Sequence, residues 1–458
     1  MSLRLQSLTL AIASISFASA AQAAGLDRST QPSWGFTQDG TFAYIERITI
    51  DPSITGKDNA ATTPSPTTYE EGRDTNNMAL NYDFINYGAK ADVNDKVSVG
   101  VFFDQPWGAD VEFTGNNDFV NDTEQAALAA KAAEAAAAKA ADAAKADPAN
   151  QILAYTAVKT EREAGAAYNI ASNIAQHPNE GTNVSVDSKN FTGLLGVKFG
   201  EKNNWQVYGG PVLQKLEGEV HLRGTAYNST QGYDGIFAQS NGYGWMAGLA
   251  YSKPEIALKA ALTYRSDIDH DTVAYEYMPA TGESGSYDMT ITTPKSVNVD
   301  FQTGLNPTTL LTAKLRWVPW SDFSIKPPLY NATTKKAVGA DFKPLYPNGL
   351  NLIDYSDDGW AAEVGLGKKL NNQWAVSGSV GWDSGAGGPI TTLGPVEGHW
   401  NVGLGAKYNV TPEVAVSAGV KYLMFGDAKS KIPNGDLVGD FQNNDAWIYG
   451  LRLTYQKK

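Results

Sequence analysis

Between residues 359 and 384 the chain alternates with a period of two. Trp360, Ala362, Val364 and Leu366 hold one side, and Ala361, Glu363, Gly365 and Gly367 the other; after Asn371-Asn372 the alternation resumes with Trp374, Val376, Gly378, Val380 and Trp382. Successive side chains of a strand point to opposite faces, so this pattern predicts a hairpin with one apolar face. The unit recurs as Trp400, Val402, Leu404, Ala406 and Tyr408, a turn from Val410 to Glu413, then Val414, Val416, Ala418, Val420, Tyr422 and Met424. It recurs again as Trp245, Ala247, Leu249 and Tyr251, a turn from Ser252 to Glu255, then Ile256, Leu258, Ala260, Leu262 and Tyr264. Aromatics stand near the strand ends and aliphatics between them, the outward face of a barrel that crosses a membrane by strands.

Read this way, the chain holds fourteen strands: 41–50, 77–91, 96–113, 183–199, 205–221, 242–252, 255–270, 284–303, 309–323, 357–370, 373–384, 397–410, 413–429 and 442–456. Six connections are tight, and the seven that alternate with them are long: 51–76, 114–182, 222–241, 271–283, 324–356, 385–396 and 430–441. Strict alternation of short and long is what periplasmic turns and extracellular loops produce. The expected fold is therefore all-β: a 14-stranded antiparallel transmembrane β-barrel over residues 41–456, with both ends on the periplasmic side.

One long connection departs from the pattern. Thr123 to Ala146 is alanine-rich with Lys and Glu at helical spacing, Thr123 a candidate cap and Pro148 a stop, and a second helical stretch runs from about Ile152 to Ala175. The expectation is a helical insertion, 123–176, in the third extracellular loop, either a surface hairpin or a lid over the mouth of the lumen. Residues 1–23, with Arg4, an apolar run from Leu8 to Ala18 and Ala21-Gln22-Ala23, read as a secretory signal peptide. That leaves 24–40 for a short plug before the first strand.

Composition narrows the function. The chain of 458 residues has no cysteine, 45 glycines and a net charge of −13. It lacks disulfides and thiol chemistry, and its acidity speaks against nucleic acid as a partner. With four histidines, none paired at zinc spacing, and no Gly-x-Ser-x-Gly elbow, the sequence proposes neither catalysis, metal nor cofactor.

Several motifs carry a resemblance: Ala261-Leu-Thr-Tyr-Arg265-Ser266 with His270, Thr293-Pro294-Lys295-Ser296, Trp317-Val-Pro-Trp320-Ser321-Asp322-Phe323, Pro106-Trp107-Gly108 and Gly426-Asp427-Ala428. At this spacing the chain resembles the FadL family of outer-membrane long-chain fatty-acid and hydrophobic-compound transport proteins. The resemblance implies fourteen strands, an outer-membrane location in a Gram-negative cell, and capture of a hydrophobic small molecule in the lumen. It also implies lateral release into the bilayer at a kink in the third strand, from a monomer in contact with outer-membrane lipid. The family's Asn-Pro-Ala plug motif is missing from residues 24–40.

If Trp, Val, Leu and Tyr face lipid, parity turns Lys259, Thr263, Arg265 and Asp267 inward, with Lys314, Arg316, Glu363, Lys407, Lys421 and Arg452. Arg265, Lys259, Arg316 and Lys421 are the candidates to meet a carboxylate headgroup; the alternative is a network of cross-strand ion pairs. Pro106, which cannot donate to a ladder, and Gly108 are expected to bend the wall and open the exit. Phe102, Phe103, Trp107 and Phe113 are expected to line its approach. Two other functions fit a barrel: a diffusion porin for small polar solutes, and a structural or adhesive barrel whose helical loop binds a partner.

Overall fold

The computed structural model describes residues 26–29, 31, 33–339 and 343–457. The expected signal peptide and residues 24, 25, 30 and 32 of the plug lie outside them. Among the described residues, fourteen antiparallel strands close a barrel, three of them interrupted once. They are β1 (Thr41–Ser53), β2 (Tyr82–Asp92), β3 (Val97–Asp104 and Gly108–Glu112), β4 (Asn183–Phe199), β5 (Trp205–His221), β6 (Asp234–Lys253) and β7 (Leu258–Arg265 and Ile268–Met278). The rest are β8 (Glu283–Thr293 and Ser296–Asn306), β9 (Thr309–Val318), β10 (Gly359–Lys369), β11 (Trp374–Asp383), β12 (His399–Asn409), β13 (Val414–Phe425) and β14 (Asp445–Lys457). Closure runs through β1, which pairs with β14 on one side, Thr41 opposite Lys457, and with β2 on the other. A closed sheet has no edge, so every strand can satisfy its backbone inside a bilayer.

The alternation sorts the side chains as expected. Trp360, Val364, Leu366, Trp382, Trp400, Leu404 and Leu451 are exposed on the outside, while Glu363, Lys407, Lys421 and Arg452 are buried inside. β6 and β7, however, rise further than the apolar pattern indicates. β6 begins at Asp234, and the expected loop 271–283 is mostly strand, so β7 and β8 are joined by four residues, 279–282. The outer face there is polar: Asp271 accepts from Thr290 at 2.7 Å and Asp269 from Thr292 at 2.6 Å. Above the membrane no lipid demands an apolar face, so period two persists without its apolar signature.

The long connections fold onto one another outside the membrane. Gly56–Asn59, Glu71–Thr75, Ile390–Thr391, Ala428–Lys431 and Leu437–Phe441 form a small sheet of their own. The helical insertion is an antiparallel pair, α1 (Thr123–Ala146) and α2 (Gln151–Gln176), in the connection from β3 to β4, which is the second outer connection counted along the barrel. The α1 cap is Asp122, one residue before the expected Thr123; its side chain accepts from the Gln125 amide. Ala130, Ala133, Ala137, Ala140 and Ala144 form the half-buried stripe of α1, spaced three and four apart. Alanine there lets two helices pack closely without a larger core.

This topology has a direct check. A membrane-impermeant maleimide on intact cells is expected to label cysteine placed at exposed Ala135 of α1 and to spare cysteine at exposed Asn371, in a tight turn. Strong labelling at residue 371 would invert the barrel.

Candidate functional site

The plug enters the lumen at the level of the interrupted strands. Ser33 meets Thr263 at 3.1 Å, Ser296 donates to Gln31 at 2.7 Å, and Lys90 donates to the Gln38 and Gly40 carbonyls at 2.8 and 2.9 Å. Trp34 and Phe36 of the plug pack with Phe42, Tyr44, Phe102 and Tyr208 of the wall, Phe36 lying 5.3 Å from Tyr208 and 6.2 Å from Phe102. Below this layer a polar vestibule of about 720 Å³ opens at the periplasmic end, lined in part by Lys259, Asp300, Lys314 and Gln302.

Above the plug lies an apolar chamber. Leu26 and Trp107 border it below, Leu216, Phe237 and Ile291 at the sides, and Trp320 and Phe323 from the β9–β10 connection above. Trp107 and Trp320 meet edge to face at 5.4 Å, both almost fully buried. The chamber retains a cavity of about 30 Å³, so any larger guest must displace side chains. Further out, α2, the β9–β10 connection and the β13–β14 connection bound a cavity of about 740 Å³, into which Tyr155, Val158, Leu345, Leu350 and Ile432 project beside Lys159 and Arg162.

The wall beside the chamber is discontinuous. The β2–β3 ladder runs from Asp92 opposite Ser98 to Tyr87 opposite Phe103, then stops; it resumes only at Ala79 opposite Val111. On its other side β3 stays paired with β4 but carries one extra residue at 105–107, since Asp104 faces Asn190 and Gly108 faces Asp187. This is a β-bulge, placed where Pro106 has no amide to offer. The freed backbone pairs with the plug instead. The Pro106 carbonyl accepts from the Arg28 and Ser29 amides at 2.7 and 3.3 Å, and the Gly108 amide donates to the Leu26 carbonyl at 2.9 Å. A second lapse, between β6 and β7, is filled by the wall itself: Ile268 packs where Gly242 and Gly244 lack side chains.

The predicted site residues separate into groups. Lys259 reaches the plug, donating to the Thr37 carbonyl at 2.8 Å and pairing with Asp39 at 3.1 Å. Arg316 also reaches it, pairing with Asp27 at 2.6 Å, and donates to Asn298 at 2.9 Å. Lys421 pairs with Glu363 inside the wall. None of these three lines the apolar chamber, and neither does Arg265; Lys259 and Arg316 hold the plug, and Lys421 holds a carboxylate of the wall. Arg265 differs: its buried guanidinium stands 3.7 Å from Asp104 and 3.5 Å from the Thr192 hydroxyl. Among the described residues, its Nε and both Asp104 carboxylate oxygens have no hydrogen-bond partner. Asp267, expected inward, is exposed within the β7 interruption.

The aromatics divide likewise. Trp107 borders the chamber, and Phe102 packs against the plug. Phe103 faces outward, stacked 4.8 Å from Tyr87 and 4.9 Å from Phe191, on the lipid side of the discontinuity. Phe113 is stacked on Phe119 at 4.4 Å in the loop layer, away from the gap. Gly108 needs no left-handed backbone; it is glycine because a Cβ would stand 2.2 Å from the Arg28 guanidinium carbon. Leu26 and Arg28 escaped the sequence reading because the seventeen aperiodic residues of 24–40 carry no pattern. Trp320 and Phe323 were in view only as part of a motif.

A closed strand barrel with an internal plug, an apolar chamber and a gap in its wall defines an outer-membrane transport barrel. Residues 37–456 match the family described as outer membrane protein transport protein (OMPP1/FadL/TodX). The chain belongs to that family, and its place is the outer membrane of a Gram-negative cell. Among solved structures, a Pseudomonas aeruginosa FadL homologue superposes with a TM-score of 0.61 at 14% identity, covering 98% of this chain and 97% of the other. The Pseudomonas putida toluene transporter TodX gives 0.53 at 10% identity, with 98% of each chain covered, and the Ralstonia pickettii toluene transporter TbuX 0.52 at 10%, with 93% and 91%. At such identities the likeness is one of fold. No curated protein matches the chain.

Proposed function

We propose that the barrel carries apolar compounds, long-chain fatty acids or related hydrocarbons, from the outer cavity through the apolar chamber and out into the bilayer between β2 and β3. The observation that carries this reading is the position of the gap: the β2–β3 ladder lapses across the stretch that holds Trp107, a residue that borders the chamber. An apolar guest pays about 25 cal/mol per Å² when it leaves an apolar surface for water, so release into lipid avoids a cost that release into the polar vestibule would incur. Phe103, Tyr87 and Phe191 give it an aromatic surface on the lipid side. The narrowness of the chamber and its apolar walls argue against free diffusion of polar solutes, the porin alternative.

Within this reading Arg265 meets a carboxylate headgroup. Of the four cations singled out from the sequence it has the longest ion-pair distance, and an anion arriving there gains a charge-assisted hydrogen bond. Replacing Arg265 by Ala is expected to slow uptake of a fatty acid several-fold more than uptake of a neutral hydrocarbon of equal length, measured in proteoliposomes. Equal effects on both cargoes would assign Arg265 to the structure of the barrel. Loss of neither would remove it from the path.

A further inference from the structure

The plug does more than lie beneath the gap. Arg28 sends its side chain into it. Its Nη2 donates to Asp110 at 2.6 Å, its Nη1 stands 4.0 Å from Asp187, and its guanidinium carbon lies 4.2 Å from the centre of the Tyr82 ring. Register places these partners. Gly108 faces Asp187 and Asp110 faces Ser185, and residues 185 and 187 share the outer face of β4 with Lys189 and Phe191. The bulge at 105–107 has reversed the parity of β3, so Gly108 and Asp110 are outward while Trp107 and Ala109 are buried inward. The guanidinium of an internal plug residue therefore occupies the outward Cβ position of Gly108, on the line of the wall. Asp110 is steadied by the Ser185 hydroxyl at 3.2 Å and Asp187 by Lys189 at 2.7 Å.

We propose that Arg28 is the gating residue of the lateral opening, a cation carried by the plug that passes through the wall and closes the gap by its bond to Asp110. This rests on the reading of the gap as the exit. The pair has the features of a reversible closure. Arg28 is 4% exposed but bonds to a carboxylate that is 28% exposed, so Asp110 remains partly hydrated when the bond breaks. Leu26, two residues earlier, borders the chamber, so a guest that displaces Leu26 pulls on the segment carrying Arg28. With Arg28 withdrawn the aperture loses the side chain that fills it.

The test uses the full-length barrel in proteoliposomes, with N-phenylnaphthylamine as a neutral apolar probe. Arg28→Ala and Asp110→Ala are each expected to raise its initial uptake about fivefold, and the exchanged pair Arg28→Asp with Asp110→Arg to return it towards wild type, as a two-state closure requires. Wild-type rates in both single variants, with barrels that remain heat-stable, would overturn the gating role. The same measurements are made with Ile85→Cys and Gln105→Cys joined across the gap by a short bismaleimide. If the crosslink leaves wild-type uptake unchanged, the lateral exit itself fails. If it blocks uptake while Arg28→Ala without the crosslink behaves as wild type, only the gate fails.

Discussion

Replacement of Arg452 by Met is expected to destabilise the barrel by about 3–5 kcal/mol, the cost of leaving one member of a buried ion pair without its partner. Arg452 and Glu46 face each other across the closing β1–β14 seam with no exposed side-chain surface; Arg452 Nε donates to Glu46 at 2.6 Å, and Asn86 donates to the second Glu46 oxygen at 3.0 Å. The guanidinium also lies 4.6 Å from the Trp34 ring, so the pair ties seam and plug together. The double replacement Arg452→Met with Glu46→Leu is expected to recover most of the loss, since two apolar groups leave no buried charge behind. Unfolding midpoints in denaturant measure both. A single replacement that costs less than about 1 kcal/mol would place water at the seam and remove this pair from the account of stability.

The seam also shows what a sequence discloses about such a barrel and what it withholds. Period two located the strands because lipid requires an apolar outer face at positions such as Val364, Leu404 and Leu451, and it turned Glu363, Lys407, Lys421 and Arg452 inward correctly. Pro106 marked the bulge, since its missing amide is a local property. Parity indicates that Lys259 and Arg316 point inward, but not that Asp39 and Asp27 of the plug await them more than 200 residues away in sequence. The reason for glycine at 108 is equally non-local, because its neighbour is Arg28. The outer ends of β6 and β7 were missed for another reason: in water the outward face is free to be polar, and Asp271, which accepts from Thr290, resembles a loop residue. The chamber was illegible, being assembled from β3 to β8, the plug and the β9–β10 connection.

Release through the wall is the central claim, and closing the wall tests it. The chain has no cysteine of its own, so a pair introduced at Ile85 and Gln105 is chemically unique. Continuing the register of Tyr87 with Phe103 and Ala79 with Val111 sets these two residues opposite each other across the gap. Ile85 is outward and exposed, so a crosslink there spans the opening without filling the chamber. The decisive measurement is uptake of a neutral apolar compound by the same proteoliposomes before and after crosslinking with a short bismaleimide. Each single-cysteine variant treated identically serves as the control. The account predicts that the crosslink reduces uptake to the level of protein-free vesicles while both single-cysteine controls stay at the wild-type rate; undiminished uptake through the crosslinked barrel would contradict it and direct the cargo past the plug into the periplasmic vestibule.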